Sequence, residues 1–230
     1  MFDLEVISPI LLWTAIAVYA AAFVAFAFDL ARRSQLSADA ASVREFELVG
    51  AGAGSRGAKS ASASGSDAAP QRFVMARIGT SLTVLAFIFH LGATVTRGLA
   101  AGRVPWANLY EFAMMGTLLI VAVFLVVLTR IDLRFLGTFI TGLVVVLLGL
   151  SATNFYVDVS PLMDPLKSVW LVIHVFVASL GTAFFALAFA LSVIQLMQSR
   201  RERLISEGAE KTGPGFLRTF PGSERLESMA

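Results

Sequence analysis

Two imidazoles and one polar stretch carry most of what this 230-residue chain offers for chemistry. His174 lies four residues after Trp170, so the two share a helical face, with the imidazole about 6 Å further along the axis. An ionisable ring in an apolar helix is expensive and is by default a functional candidate, here as a ligand. The plainer alternative is an imidazole satisfied by a backbone carbonyl, by Tyr110 or by Asp158. His90, in FIFHLGATVTRG, is placed about 10 Å inside the boundary marked by Arg97. Hydrogen bonding between packed helices is its ordinary role, and metal ligation the alternative. The stretch RVPWANLYEF, Arg103 to Phe112, sets two aromatics, an amide, a phenol and a carboxylate between apolar runs. Asn108 followed by Glu111 reads as an Asn variant of the capping box, and Trp106 and Tyr110 suit an interfacial aromatic belt. With no Cys, the chain has no thiol chemistry of its own.

The elements that must position these groups are membrane spans. Hydrophobic residues make up 57% of the chain and charged ones 15%, far from a soluble average. Five segments approach or exceed the roughly 20 residues that a helix needs to cross a bilayer: Ile10 to Phe28, Ile78 to Val95, Phe112 to Leu128, Phe135 to Ala152 and Val169 to Met197. None contains Lys, Arg, Asp or Glu, and none alternates as barrel strands do. The fold class expected is therefore an all-α integral membrane protein with five transmembrane helices. MFDLEVISPI carries Asp3 and Glu5 where a secretory signal would be basic, so the first helix is expected to stay.

Orientation follows from the cations. Arg32, Arg33, Arg44, Arg56, Lys59, Arg72 and Arg77, then Arg130 and Arg134, then Arg200, Arg201, Arg203, Lys211, Arg218 and Arg225 fall on one side, against Arg97, Arg103 and Lys167 on the other. The positive-inside rule puts the N-terminus outside and the C-terminus in the cytoplasm. The net charge of +2 reflects that topology and gives no nucleic-acid stripe. The chain divides into an outer arm and first helix (1–29), a flexible cytoplasmic linker (30–77) with the Gly/Ala/Ser run Val49 to Pro70, a four-helix region with two outer loops (78–197), and a cytoplasmic tail (198–230). In the second outer loop Pro161 and Pro165 break the chain and Ser168 is placed to cap the last helix. No phosphate loop, nucleophile triad or charge inside a span supports hydrolysis or primary transport.

RVPWANLYEF, followed two helices later by PLMDPLKSVWLVIHV (Pro161 to Val175), resembles the CcsA/ResC family of cytochrome c biogenesis proteins, most closely its actinobacterial CcsB versions. The resemblance implies a multi-pass protein of a bacterial plasma membrane, embedded in lipid. With a ResB-type partner it would export or present b-type haem, transiently bound, for covalent attachment to apocytochrome c, as part of a holocytochrome c synthetase complex. Residue by residue, it makes His174 an axial ligand of the haem iron, with Trp170 in the same motif. Trp106, Asn108, Tyr110 and Glu111 belong to the outer motif that shapes the site, and Arg97, Arg103 or Lys167 would meet the propionates. His90 is not matched to a family ligand. The family's Trp-rich WWD segment has no counterpart, since Trp13, Trp106 and Trp170 form no such pattern. The expectation is thus an N-terminal portion, leading into a missing C-terminal part. The competing reading is a noncatalytic membrane scaffold or small permease subunit without haem.

Overall fold

The computed structural model describes residues 4–52, 74–131, 133–160, 167–207, 222, 223 and 226, the side chains of 36–52 excepted. Among the described residues five helices carry the architecture: α1 (Leu4–Gly52), α2 (Val74–Ala101), α3 (Leu109–Leu128), α4 (Gly137–Asn154) and α5 (Val169–Ser206), with a 3-10 turn at Arg134–Leu136 leading into α4. Each is long and apolar enough to cross a membrane, which makes the chain an all-α, multi-pass membrane protein.

In hydrocarbon every polar group must find its partner inside the fold. The hydroxyls comply locally: Thr83, Thr94, Thr117 and Thr141 each donate to the carbonyl one turn back on their own helix. Ser8 reaches across instead, from the start of α1 to the carbonyl of Ala93 near the end of α2, at 2.9 Å. Ser151, near the end of α4, likewise donates to the Tyr110 carbonyl at the start of α3, at 3.5 Å. Consecutive helices therefore run antiparallel. Five crossings leave the two ends of the bundle distinct: an upper end with the 102–108 and 155–160 connections, and a lower end with Arg130 and Arg134.

Four helices close a ring, α1 packing on α2 and α4, and α3 on the same two. Tyr19, Met114, Phe124, Ile140, Val144 and Leu148 are among the side chains of the shared core. α5 lies outside the ring, against α3, and barely meets α4. Its buried residues begin only at Ser179 and continue through Ala183, Leu187, Ala190, Leu191, Ile194 and Gln198, a stripe at helical spacing confined to the lower part.

Near the lower end the ring is keyed by one aromatic side chain. A methyl group added at Gly79 of α2 would stand 3.0 Å from the Phe26 ring, and one added at Gly137 of α4 only 2.7 Å from it. Phe26, 2% exposed, fills a slot that two other helices leave open by having no side chain there.

The spans expected from hydropathy are all present, but their ends differ. α1 continues to Gly52, into the segment read as linker, and α5 runs to Ser206, into the segment read as tail. Hydropathy stops at the first charge, whereas backbone hydrogen bonding goes on through Arg, Gln, Glu and Leu, all good helix formers. Most of Val49 to Pro70, together with Pro161 and Pro165, lies outside the described residues.

Gly137→Val is expected to lower unfolding stability by about 1–3 kcal/mol through overpacking against Phe26. A drop in melting temperature in mild detergent would show it. Adding Phe26→Leu should recover part of that loss, and equal melting of the single and double variants would mean that the ring is not keyed there.

Candidate functional site

The upper end is organised around a carboxylate. Asn108, with extended backbone, starts α3 by accepting the Glu111 backbone N–H on Oδ1 at 2.8 Å. The Glu111 side chain turns back as a capping glutamate does, but accepts from the Ala107 N–H at 2.9 Å. The expected cap is thus formed, with its return bond one residue earlier than in a capping box. The shift has a cause: Glu111 also answers two guanidinium groups.

Arg97, in the last turns of α2, donates from Nε to Glu111 Oε1 at 3.0 Å. Arg103, on the connection, donates from Nη1 to Oε2 at 2.7 Å and from Nη2 to Oε1 at 3.4 Å. The Arg97 and Glu111 side chains are 1% and 0% exposed, so that pair is closed to water, and Arg103, its side chain 11% exposed, stands at the edge. Gly102 lets the chain fold back between the arginines, at φ +62. A side chain at Gly98 would stand 3.2 Å from the Arg103 carbonyl oxygen.

The same guanidiniums hold the second connection. Arg97 Nη2 donates to the Val157 carbonyl at 2.5 Å and Arg103 Nη2 to the Ser160 carbonyl at 3.2 Å. Tyr156 packs edge-on against Tyr110, ring centres 5.3 Å apart, and the Arg97 guanidinium sits 5.4 Å from one ring and 5.9 Å from the other. Two cations on one carboxylate leave the cluster one positive charge in excess. Arg103 Nε and Asn108 Nδ2, both buried, have no hydrogen-bond partner among the described residues.

His90 is wholly buried in the ring, with Nε2 3.0 Å from the Met114 carbonyl and Nδ1 3.4 Å from the Tyr19 hydroxyl. A carbonyl only accepts, so Nε2 carries the proton and Nδ1 accepts from Tyr19. Both nitrogens are engaged, the arrangement of a structural histidine.

His174 stands in contrast. It and Trp170, 79% exposed, sit on the first turns of α5, above the part of that helix that docks. Among the described residues His174 has no hydrogen-bond partner, neither Tyr110 nor Asp158. Ser168 precedes α5 in extended conformation without a side-chain cap bond. The structure thus joins Asn108, Tyr110 and Glu111 in one network, with Trp106, half-buried, in the adjoining turn. It does not bring Trp170 and His174 into that network. Among the described residues no group of three His, Cys, Asp or Glu could hold a metal ion.

Sequence reasoning missed the triad, assigning Arg97 and Arg103 to ligand carboxylates instead. A pointer was present: Glu111 is the carboxylate nearest in sequence to two arginines at one membrane edge, where an unpaired buried charge is untenable.

A family model described as cytochrome C assembly protein matches residues 106–229, just over half of the chain. The match takes in Trp106, Asn108, Tyr110, Glu111, Trp170 and His174, and leaves His90, Arg97 and Arg103 outside. No curated protein and no solved structure matches the chain.

Glu111→Gln should cost about 3–5 kcal/mol, because it strands two buried guanidiniums. Asn108→Ala, which removes only a cap, should cost about 1 kcal/mol. Thermal melts in detergent give the ranking, and limited proteolysis across 155–160 should quicken in the Glu111 variant alone. Equal costs, or unchanged proteolysis, would contradict the network.

Proposed function

The chain belongs to the family of cytochrome c assembly proteins, CcsA/ResC, and from that premise we propose that it is a haem-handling subunit of the cytochrome c maturation machinery. In this reading it lies in a bacterial plasma membrane with its N-terminus outside. It presents haem at the outer face to apocytochrome c, together with a ResB-type partner. Its role in a cytochrome c biogenesis system follows from the family; the cofactor, partners and orientation are the proposed part.

The observation that carries the proposal is the unsatisfied imidazole of His174. The chain's other histidine has a partner on each nitrogen, whereas among the described residues His174 has none and sits on an exposed helical face one turn from Trp170. Haem needs an axial imidazole, apolar flanks and cations for its carboxylates. His174 supplies the first and Trp170 an apolar flank, while the excess positive charge of the Arg97–Glu111–Arg103 cluster and Lys167 lie at the same end. The residues fit one face of the group. His90 is not proposed as a second ligand, since both its nitrogens are used within the ring. Haem, when bound, supplies the vinyl groups to which the apocytochrome's thiols add.

Each chain residue then has a role. His174 would hold the iron, and Trp170 would lie against the ring system. Tyr110 and Glu111, 1% and 0% exposed, act by fixing the two upper connections rather than by touching the cofactor. Asn108 sets the start of α3, and Trp106, half-buried in the adjoining turn, borders the surface.

Membranes holding this protein with its partners are expected to show a bis-imidazole haem spectrum that His174→Ala removes. His90→Gln should leave the spectrum in place while lowering thermal stability by about 1–3 kcal/mol, the cost of a broken buried hydrogen bond. A His174→Ala spectrum identical to that of the unsubstituted protein would return the chain to the scaffold or permease-subunit reading.

A further inference from the structure

Because α3 carries α5 and α4 barely touches it, α1, α4 and α5 do not close on one another in the lower half of the bundle. An open trough of about 530 Å³ results, walled by Phe23 and Leu30 of α1, Phe139 and Val146 of α4, and Ile194 and Met197 of α5. Its volume is that of a ligand site, and its walls are almost wholly hydrocarbon.

The trough's lower mouth is basic. About one turn beyond it α1 carries Arg33, the chain entering α4 carries Arg134, and α5 carries Arg200 and Arg201. Among the described residues, acids nearby include Asp29, 2.6 Å from Arg33, and Glu202, which accepts hydrogen bonds from the backbone N–H and hydroxyl of Ser223. These four guanidiniums outnumber the two carboxylates, one of which, Asp29, is paired with Arg33 itself. Arg33 keeps 30% of its side chain accessible, and Arg200 is exposed.

We propose that this trough binds one anionic phospholipid, an acyl chain lying along Phe23, Phe139 and Val146 and the phosphate meeting the arginine rim. Converging basic residues between helices at a membrane boundary recognise anionic head groups, and here they stand at the end of a fixed apolar channel. A second copy of the chain suits the site less well. The exposed face of α5 offers bulky Phe184, Phe185 and Phe189 where close helix packing wants small residues, and a copy in the same orientation would bring like charges together. The inference is independent of haem handling, since it involves neither His174 nor the upper connections.

The full chain, purified in mild detergent, is titrated with phosphatidylglycerol and, separately, with phosphatidylcholine of the same acyl chains, and bound species are read by native mass spectrometry. The first phosphatidylglycerol is expected to bind about ten-fold or more tightly than phosphatidylcholine. Arg200→Gln/Arg201→Gln should weaken phosphatidylglycerol by about five-fold per arginine and leave phosphatidylcholine unchanged. Val146→Trp, at a wall position 64% exposed and so tolerant of bulk, should weaken both lipids by filling the trough. Equal affinity of the unsubstituted protein for the two lipids overturns the proposal. So does unchanged phosphatidylglycerol binding in either variant, or a dimer that phosphatidylglycerol does not displace.

Discussion

A carboxylate shared between two guanidiniums, shut away from water, fixes the upper end of this protein. Breaking such a pair inside a fold strands a buried charge, and near the edge of a membrane there is little solvent to relieve it. Glu111 must therefore lie within reach of both Arg97 and Arg103. That requirement sets where α2 ends, how the 102–108 connection folds back and where α3 begins. Through the Val157 and Ser160 carbonyls it also fixes the course of the second connection. The Tyr110–Tyr156 contact and the half-buried Trp106 are consequences of that placement.

Satisfaction of polar groups elsewhere gives His174 its meaning. Buried hydroxyls bond to carbonyls of their own or a neighbouring helix, and His90 is held on both sides between Tyr19 and Met114. His174 differs in being exposed and, among the described residues, without a hydrogen-bond partner. It lies on α5 before the first buried residue, Ser179, so its exposed face is open to a ligand or a partner. The family match covers this position, and the geometry explains why no neighbour in the ring competes for the ring nitrogens.

Much of this was legible in the sequence, for reasons that also mark where legibility stops. Uninterrupted apolar runs identify spans because hydrocarbon excludes charge, so all five were readable. Asn108 was readable as a cap because capping is local, set by residues three apart. The return bond went to Ala107 instead because Glu111 is drawn toward arginines eight and fourteen residues away, and pairing at that range depends on how α2 and α3 pack. The hydrogen bonds of His90 were anticipated in kind, but Tyr19 lies 71 residues away and could not be named. That α5 docks by its lower part alone was not readable, since its apolar pattern continues through Val169 to Val177 whether or not a partner faces it.

The partial docking of α5 makes its free end a cantilever. From Ser179, the first buried residue of α5, to His174 is about 7.5 Å along the axis. A tilt of about 10° about that fulcrum sweeps the imidazole sideways by about 1.3 Å, enough to misplace a metal ligand. Reach at the tip is thus governed by leverage from the seat formed by Ser179, Ala183 and Leu187, and a change of packing there acts on the iron ligand of the proposed site without touching it.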